Sequence, residues 1–314
     1  MKLSIIVPCF NEGEGLKEFH QALKKVLETV NTENEILYIN DGSTDNTQAV
    51  LKEITASDPE AFYMTFSRNF GKEAAVYAGI CNVTGDYTAV MDADMQDPPE
   101  MLVKMLEILK QGEYDCVAAR REDRTGEPPV RSWFARKFYQ VFNYISDIKI
   151  PDGSRDFRVM TRQMTEAVAA MAEANRFSKG IFEWVGFRTY YIPYENRNRQ
   201  KGSTKWSFRK LFSYGVGGII GFSEAPLSFV SWFGILMTAV AVVMLLFVIV
   251  RKLIFGDPVA GWASTICVII FIGGLQLFCL GIIGQYVARI FTETKNRPHY
   301  IASESNLKDA RMIR

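Results

Sequence analysis

The sequence has few of the residues that zinc sites and nucleophilic hydrolase sites require. It contains only two histidines, His20 and His299, and its five cysteines include no Cys-x-x-Cys pair. A zinc site needs clustered His or Cys ligands, and a Ser-His-Asp triad needs a positioned histidine. Both kinds of site are therefore disfavoured. An odd number of cysteines without paired spacing also indicates reduced thiols rather than a disulfide framework.

Glycine-rich phosphate motifs and a strong net charge are missing as well. No G-x-G-x-x-G or G-x-x-x-x-G-K-[ST] segment occurs, so neither the dinucleotide fingerprint nor the P-loop is present. The formal net charge is only +1, which argues against a general nucleic-acid binder. The first ten residues carry one lysine and an apolar run interrupted by Pro8, a pattern that does not indicate a secretory signal.

Charged residues are absent from two long stretches near the C-terminus. Residues 229–250 and residues 258–288 are uncharged runs of 22 and 31 residues. A helix needs about 20 apolar residues to cross a hydrocarbon core of about 30 Å, so each run is long enough to span a membrane. The alternative is a pair of buried helices in a soluble core. The Gly256-Asp257-Pro258 turn between the runs predicts a transmembrane hairpin.

Basic residues flank this predicted hairpin more heavily than they occupy its connection. Residues 188–210 hold seven basic residues and one acid, whereas the connection holds only Arg251 and Lys252. The positive-inside bias then predicts a multi-pass protein of the cytoplasmic (inner) membrane, with its N-terminal part in the cytoplasm. Residues 211–223 are uncharged but too short to span, which favours an interfacial helix. The predicted divisions are residues 1–200, 201–226, 227–289 and 290–314: a cytoplasmic domain, a basic juxtamembrane region, two transmembrane helices and a cytoplasmic tail.

Strand and helix patterns alternate through the N-terminal part. The segments LSIIVPCF, EILYIND, FYMTFS, YTAVMDAD and YDCVAAR read as strands, and helical patterns lie between them; the first, over residues 15–29, has Leu16, Phe19, Leu23 and Leu27 on one face. Such alternation predicts an α/β fold with a mostly parallel sheet covered on both faces. Ligands of these sheets gather at the carboxyl ends of the strands.

Polar and acidic side chains follow four of the predicted strands. Asp92 and Asp94 end the fourth strand and, being two residues apart in an extended chain, can face one ligand together. Oxygen ligands without histidine or cysteine suit Mg²⁺ or Mn²⁺. The alternative is a solvated loop in which these carboxylates cap local turns. The convergence of polar groups from four strand ends favours the metal site.

Four segments in this order carry a resemblance to a known family. SIIVPCFNE, INDGSTDNT, SRNFGKEAAVYAG and MDADMQDPPE resemble the inverting glycosyltransferases of family 2. With the hairpin, the chain looks like the polyisoprenyl-phosphate glycosyltransferases, which include bactoprenol glucosyltransferases and dolichol-phosphate mannose synthases. The resemblance implies a Rossmann-like GT-A fold, a nucleotide-sugar donor, Mg²⁺ or Mn²⁺ as cofactor, a polyprenyl-phosphate acceptor at the bilayer, and a homo-oligomer such as a tetramer.

The resemblance also implies roles on the donor side. It assigns Pro8, Asn11 and Glu12 to the nucleoside pocket, Asp41 to a hydrogen bond with the base, and Asp92, Asp94 and Gln96 to the metal on the donor diphosphate. For Gln96, ordinary loop solvation is the alternative. Arg68 and Lys72 stand where a diphosphate could be clamped, or are surface residues at the start of a helix.

On the acceptor side the relevant residues are basic. Arg120 and Arg131 belong to an arginine-rich stretch after the fifth strand, and arginine donates paired hydrogen bonds to phosphate. Arg131 matches an acceptor-phosphate arginine of the mannose synthases, although Ala135 stands where those enzymes have serine. Lys205 matches a family Gly-x-Ser-Lys pattern with Thr204 inserted. An arginine loop that pairs with its own acids, and simple attraction of Lys205 to anionic lipid, are the alternatives.

Asp156, in the segment DGSRDFRVM, matches an aspartate that the family places near the reacting centre. It has been read there as a catalytic base. A phosphate monoester has a second pKa of about 6 and is largely ionised at neutral pH, so it scarcely needs a base. Asp156 could instead bind a sugar hydroxyl or orient Arg158, or cap the turn before its strand. We expect a positioning role.

Together these features predict metal-dependent transfer of a hexose from a nucleotide sugar to polyprenyl phosphate, with inversion. UDP-glucose is the first choice of donor, UDP-N-acetylglucosamine the second, and GDP-mannose the third. A processive polysaccharide synthase is an alternative, but the chain has no Q-x-x-R-W motif and only two predicted spans. A non-enzymatic nucleotide-sugar-binding partner of a flippase is the other alternative.

Overall fold

A central eight-stranded sheet organises the N-terminal part of the chain. The computed structural model describes residues 1–30, 32–121, 129–194, 208–255 and 262–313. The strands are β1 (Lys2–Cys9), β2 (Glu33–Asn40), β3 (Ala61–Phe66), β4 (Tyr87–Val90), β5 (Cys116–Arg121), β6 (Ser154–Thr161), β7 (Thr189–Tyr194) and β8 (Ala302–Ser305). Their spatial order is β7-β5-β6-β4-β1-β2-β3-β8.

Four of the seven strand pairings are parallel. Strands β3, β2, β1 and β4 form a continuous parallel block, and β5 pairs in parallel with β7. The strand β6 lies antiparallel between β4 and β5, and β8 is antiparallel to β3. The carboxyl ends of β1, β2, β3 and β4 therefore share one edge of the sheet, where the sequence predicts ligand binding.

Helices cover both faces of this sheet. They are α1 (Leu16–Thr29), α2 (Thr47–Ser57), α3 (Lys72–Asn82), α4 (Met101–Lys110), α5 (Pro129–Ile145), α6 (Arg162–Ala170) and α7 (Ser178–Trp184), followed by α8 (Phe208–Phe222), α9 (Ala225–Phe255) and α10 (Trp262–Thr294). The four predicted apolar residues of α1 are all buried, at the i, i+3, i+7 and i+11 spacing of one helical face. One apolar cluster contains α1, α2 and α4, and a second, on the other face, contains α3, α6 and α7.

Two long helices near the C-terminus have the length and composition of membrane spans. The apolar windows are Ala225–Met244 in α9 and Val268–Thr294 in α10, each with a mean hydropathy of 2.1. Neither window is buried against the rest of the protein, so a soluble-core role for these helices is disfavoured. Each of the two predicted uncharged runs lies mostly within one of these helices. Two candidate transmembrane helices thus associate the chain with a membrane.

The chain returns to the central sheet after α10. Residues 290–314 were expected to be a tail, but β8 adds a strand antiparallel to β3. Tyr300 is fully buried, stacks on Phe66 with ring centroids 5.1 Å apart, and donates its hydroxyl to the carbonyl of Arg311 at 2.8 Å. The segment that follows α10 is therefore part of the core of the N-terminal domain.

Replacing Tyr300 with alanine tests this return of the chain. We expect Tyr300→Ala to lower the free energy of unfolding by about 3 kcal/mol, because a fully buried aromatic ring is lost and a cavity remains. Tyr144→Ala is the matched control, since Tyr144 on α5 is 90% exposed and should change stability by less than about 0.5 kcal/mol. Unfolding of the full chain in detergent, followed by tryptophan fluorescence, measures both. Equal stabilities would show that the C-terminal segment does not contribute to the core.

Candidate active site

Hydrogen bonds join the loops that follow β1 and β2. Asn11 has a left-handed backbone, with φ of 53°. Its N–H donates to Ser43 Oγ at 2.9 Å, and its Oδ1 accepts from the Thr44 N–H at 2.8 Å. The N–H of the adjacent Glu12 donates to Thr47 Oγ1 at 3.0 Å. These hydrogen bonds hold Asn11 and Glu12, two of the residues predicted for the nucleoside pocket, against the segment that follows β2.

Pro8 and Asp41 belong to the same strand ends. Pro8 is paired in register with Ile39, near the ends of β1 and β2. Asp41 is 3% exposed, and its carboxylate accepts hydrogen bonds from the backbone N–H groups of Phe70 and Gly71 at 2.6 and 2.9 Å. Burial raises the pKa of Asp41 to about 6 although these amides favour the ionised form. Asp41 thus holds the loop before α3, while its role toward a base stays a prediction.

A lysine bridges the two aspartates that were assigned to the metal and to the reacting centre. Lys72 Nζ lies 2.7 Å from Asp92 Oδ2 and 2.7 Å from Asp156 Oδ2. Lys72 begins α3, Asp92 follows β4, and Asp156 lies in β6. Three separate elements therefore converge on one ammonium group, which we call the Lys72 bridge.

The sheet register explains why these two aspartates meet. In the antiparallel pair of β4 and β6, Val90 lies opposite Arg158. Continuing this register by two residues places Asp92 opposite Asp156. Residues two apart on a strand point to the same face, so Asp92 points the same way as Val90 and Asp156 the same way as Arg158. The antiparallel insertion of β6 next to β4 thus builds the centre.

The Lys72 bridge shifts the pKa values of its members. Burial alone would raise the pKa of Asp156, but the positive charges of Lys72 and, next in effect, Lys179 hold it well below its usual range. Burial alone would lower the pKa of Lys72, but Asp156 and Asp92 raise it above its ordinary value. Asp156 is therefore an ionised carboxylate and Lys72 an ammonium ion across the neutral range.

Asp97 belongs, like Asp92 and Asp94, to the segment MDADMQDPPE, but its side chain makes a different set of contacts. Asp97 is 3% exposed, accepts a hydrogen bond from the hydroxyl of Tyr194, and lies 3.7 Å from Nε of Arg155. Arg155 Nη2 also donates to Gln96 Oε1 at 3.3 Å. Burial raises the pKa of Asp97, partly opposed by Arg155. The arginine thus anchors the segment next to the predicted metal residues.

The predicted metal residues supply only oxygen donors. Asp94 is half-buried, and its Oδ1 accepts from the N–H of Gln96 at 3.1 Å. In the described part of the chain, no three His, Cys, Asp or Glu side chains gather as a metal site. Two carboxylates and an amide oxygen nevertheless fit Mg²⁺ or Mn²⁺, which are commonly completed by substrate phosphates and water. The amide oxygen of Gln96 accepts from Arg155 and has a second lone pair for a metal.

The other predicted phosphate-binding residues have different surroundings. Arg68 donates to the carbonyl of Asn69 at 2.9 Å and lies over the Phe70 ring. Arg120 is exposed and its Nε donates to the carbonyl of Asp152 at 3.0 Å. The side chain of Arg131 and the whole of Lys205 lie outside the described residues. Among the predicted basic residues whose side chains are described, Lys72 is the one in direct contact with the acidic centre.

Two cationic residues of the site were missed by sequence reasoning. Lys179 in α7 donates from Nζ to the carbonyl of Ser154 at 2.8 Å and adds to the positive charge around Asp156. No local motif marks it, because its position depends on packing between α7 and β6. Arg155 precedes Asp156 in the family-like segment, so inspection of that segment's charges could have found it.

Comparison with known proteins identifies the family. The model of "Glycosyl transferase family 2" matches residues 4–169, more than half of the chain. That span includes β1 to β6 and therefore the whole Lys72 bridge. The family match and the observed sheet confirm the expected GT-A fold: a mixed, largely parallel sheet with helices on both faces, followed by two apolar helices.

Relatives align over nearly the whole length, including the two apolar helices. The SfII prophage-derived bactoprenol glucosyl transferase of Shigella flexneri is 37% identical over 306 residues, covering 98% of this chain and 99% of the relative. A prophage bactoprenol glucosyl transferase homolog of Escherichia coli (strain K12) is 38% identical over 301 residues, covering 96% and 98%.

A more distant likeness is to glucosyl-3-phosphoglycerate synthase from Mycobacterium tuberculosis, solved with Mn²⁺, UDP-glucose and phosphoglyceric acid. It is 14% identical, with a TM-score of 0.47, and the match covers 70% of this chain and 77% of that chain. This likeness is too low to carry an argument about the site. The family match and the full-length relatives are sufficient: the chain belongs to glycosyl transferase family 2 and is a glycosyltransferase.

Proposed function

We propose that this enzyme transfers a hexose from a nucleotide sugar to polyprenyl phosphate at the surface of the cytoplasmic membrane, with inversion at the anomeric carbon. The observation that carries the proposal is the full-length similarity to bactoprenol glucosyl transferases, which extends through both candidate membrane helices. The Lys72 bridge supports it, because it gathers charged groups at the strand ends where this fold class binds ligands.

UDP-glucose is the donor that we propose first. UDP-N-acetylglucosamine is the second candidate and GDP-mannose the third. The names of the relatives favour glucose, since both describe glucosyl transfer. In this proposal residues 1–200 form the cytoplasmic catalytic domain, residues 201–226 the basic juxtamembrane region, residues 227–289 the membrane hairpin and residues 290–314 the returning C-terminal segment. A homo-oligomer such as a tetramer stays a prediction.

The reaction we propose is a direct displacement. An oxygen of the acceptor phosphate forms a bond to the anomeric carbon, and the bond from that carbon to the nucleoside diphosphate breaks with its electron pair leaving on the diphosphate. The acceptor oxygen is already ionised near neutral pH, so no proton has to be removed first. A divalent metal held by Asp92, Asp94 and Gln96 would neutralise charge on the departing diphosphate.

The protein's own contribution is positioning and fixed charge. Asp156 is held in place by Lys72, and an ionised carboxylate there can accept a hydrogen bond from a sugar hydroxyl. Lys72 adds a permanent positive charge next to the predicted diphosphate site. Such preorganised groups stabilise charge that develops in the transition state without having to rearrange.

The test of this function is a product analysis with the purified full chain. Polyprenyl phosphate is incubated with each of the three nucleotide sugars, and the lipid is examined by mass spectrometry. We expect one hexose added to the polyprenyl phosphate, fastest from UDP-glucose. Polyprenol without the phosphate is the matched control and should receive no sugar. Failure to form a lipid-linked sugar from any donor, with the protein folded, would contradict the proposal.

Substitution of Lys72 tests the bridge within this function. We expect Lys72→Gln to slow transfer about 100-fold, because loss of the ammonium leaves Asp92 and Asp156 to repel each other and shift out of place. Lys72→Arg keeps the charge and should restore part of the rate. Lys17→Gln is the control, since Lys17 pairs with Glu53 on the surface of α1 and α2. A Lys72→Gln enzyme with a rate close to that of Lys17→Gln would refute the role of the bridge.

A further inference from the structure

A cleft of about 460 Å³ lies between the catalytic domain and the end of the second candidate membrane helix. Its walls come from the start of α3, the loop after α6, the last turn of α10, and the segment that leads to β8. Its lining contains none of the three members of the Lys72 bridge. The residues that matter for its chemistry are Glu73, Arg176, Lys295, Arg297 and His299.

Arg176 forms the buried part of this cleft. Its side chain is 92% buried, since its exposure is 8%, and its guanidinium lies 4.1 Å from the centre of the Tyr77 ring. Nη1 donates to the carbonyl of Met171. Nε and Nη2 are also buried, and within the described part of the chain they have no hydrogen-bond partner. Buried donors of a charged group are seldom left without an acceptor, so these two nitrogens call for one.

Neighbouring acids do not supply that acceptor. Glu73 Oε2 accepts from the backbone N–H of Ser178 at 3.0 Å and from the hydroxyl of the same residue, which engages it at the start of α7. Burial lowers the pKa of Arg176, and the nearby charges of Glu73 and Glu173 partly oppose that lowering. No carboxylate among the described residues lies within ion-pair distance of Arg176.

The rim of the cleft is basic and follows directly on a candidate membrane span. The apolar window of α10 extends to Thr294, beyond the proposed end of the hairpin at residue 289, and the exposed Lys295 and Arg297 come immediately after it. Basic residues just beyond the end of a membrane helix lie at the depth of the phosphate headgroups, to which they are attracted. Lys295 and Arg297 are therefore expected at the level of the lipid phosphates, and the buried Arg176 lines the same cleft.

We propose that this cleft binds the phosphate of a membrane phospholipid headgroup, with Arg176 donating to the phosphate oxygens and Lys295 and Arg297 closing over it. Arginine suits this role because its planar fork can donate two parallel hydrogen bonds to one phosphate. The bound lipid would fix the catalytic domain against the membrane surface. The proposal rests on the membrane location of α10 and is independent of which acceptor receives the sugar.

Native mass spectrometry of the purified full chain, reconstituted with phosphatidylglycerol, tests the site. We expect one retained phospholipid, and about tenfold weaker retention in Arg176→Gln and in the double variant Lys295→Gln/Arg297→Gln, because charge-assisted hydrogen bonds are lost. The double variant changes only exposed residues, so it keeps the test valid if Arg176→Gln does not fold. Lys104→Gln, an exposed lysine on α4, is the matched control and should retain lipid normally.

Competing ligands distinguish the sources of the phosphate. Diacylglycerol, which has no phosphate, should not be retained. Retention of inorganic phosphate without phospholipid would overturn the lipid assignment, and so would retention of polyprenyl phosphate alone, since the cleft would then serve the acceptor. Unchanged phospholipid retention in all variants would overturn the site itself. Sugar transfer is measured on the same samples, so a failure of the proposed enzymatic function would be seen separately from a failure of lipid binding.

Discussion

Replacing Asp94 with asparagine is expected to reduce sugar transfer by more than about 100-fold. Changes to residues that merely support metal ligands already cost 10- to 100-fold in affinity or activity, and Asp94 is assigned as a ligand itself. Asparagine keeps the shape of the side chain but loses the negative charge that a divalent cation requires. The protein should still fold, because Asp94 is half-buried in a loop and the hydrogen bond from the Gln96 N–H can be accepted by an amide oxygen.

The matched control for this variant lies at the other end of β4. Asp86 precedes β4 at its opposite end, is 65% exposed, and accepts from the backbone N–H of Lys2. Asp86→Asn should transfer sugar at close to the rate of the unmodified enzyme. Transfer rates are measured across a series of Mn²⁺ concentrations, and Mn²⁺ binding in the presence of UDP is followed by electron paramagnetic resonance. An Asp94→Asn enzyme that turns over within a few-fold of Asp86→Asn would refute the metal assignment.

Much of the N-terminal fold could be predicted because local patterns and tertiary packing agree there. The face of α1 and the buried strands β1, β2 and β3 follow directly from apolar spacing, and they are buried as that spacing predicts. The position of Asp92 after β4, at the edge where the parallel strands end, was also predicted from the sequence. These predictions depend on interactions that are short in sequence or general to parallel sheets, which is why they needed no structure.

Features that depend on long-range pairing could not be predicted in the same way. The strand β8 is four residues long and reads ASES, which has no apolar run, and it forms because the edge of β3 is available for pairing. Lys179 reaches the site only because α7 packs near β6. The link of Asp97 to Tyr194 spans 97 residues. In each case the partner is chosen by tertiary geometry, which a local motif does not record.

The protonation state of Asp156 argues against a role as general base. An effective general base has a pKa near the working pH, but Lys72 and Lys179 hold the pKa of Asp156 well below its usual range. A carboxylate with a depressed pKa is a weak base. It also stays ionised above a pH of about 4, and its stabilising interaction with Lys72 is lost only as the pH falls through its own low pKa. Its titration should therefore not be visible between pH 5 and pH 9.

Asp156→Asn is accordingly expected to slow transfer about 100-fold through misplacement of the sugar or of Lys72, while leaving the shape of the pH profile unchanged. In both enzymes kcat/KM for polyprenyl phosphate should rise around pH 6, where the acceptor phosphate takes on its second charge. Asp152→Asn is a useful control, because Asp152 lies four residues earlier and its backbone carbonyl, which accepts from Arg120, is kept by the substitution. Profiles from pH 5 to pH 9 decide the question. An ionisation that shapes the pH profile of the unmodified enzyme and is absent from that of Asp156→Asn would identify Asp156 as a true general base.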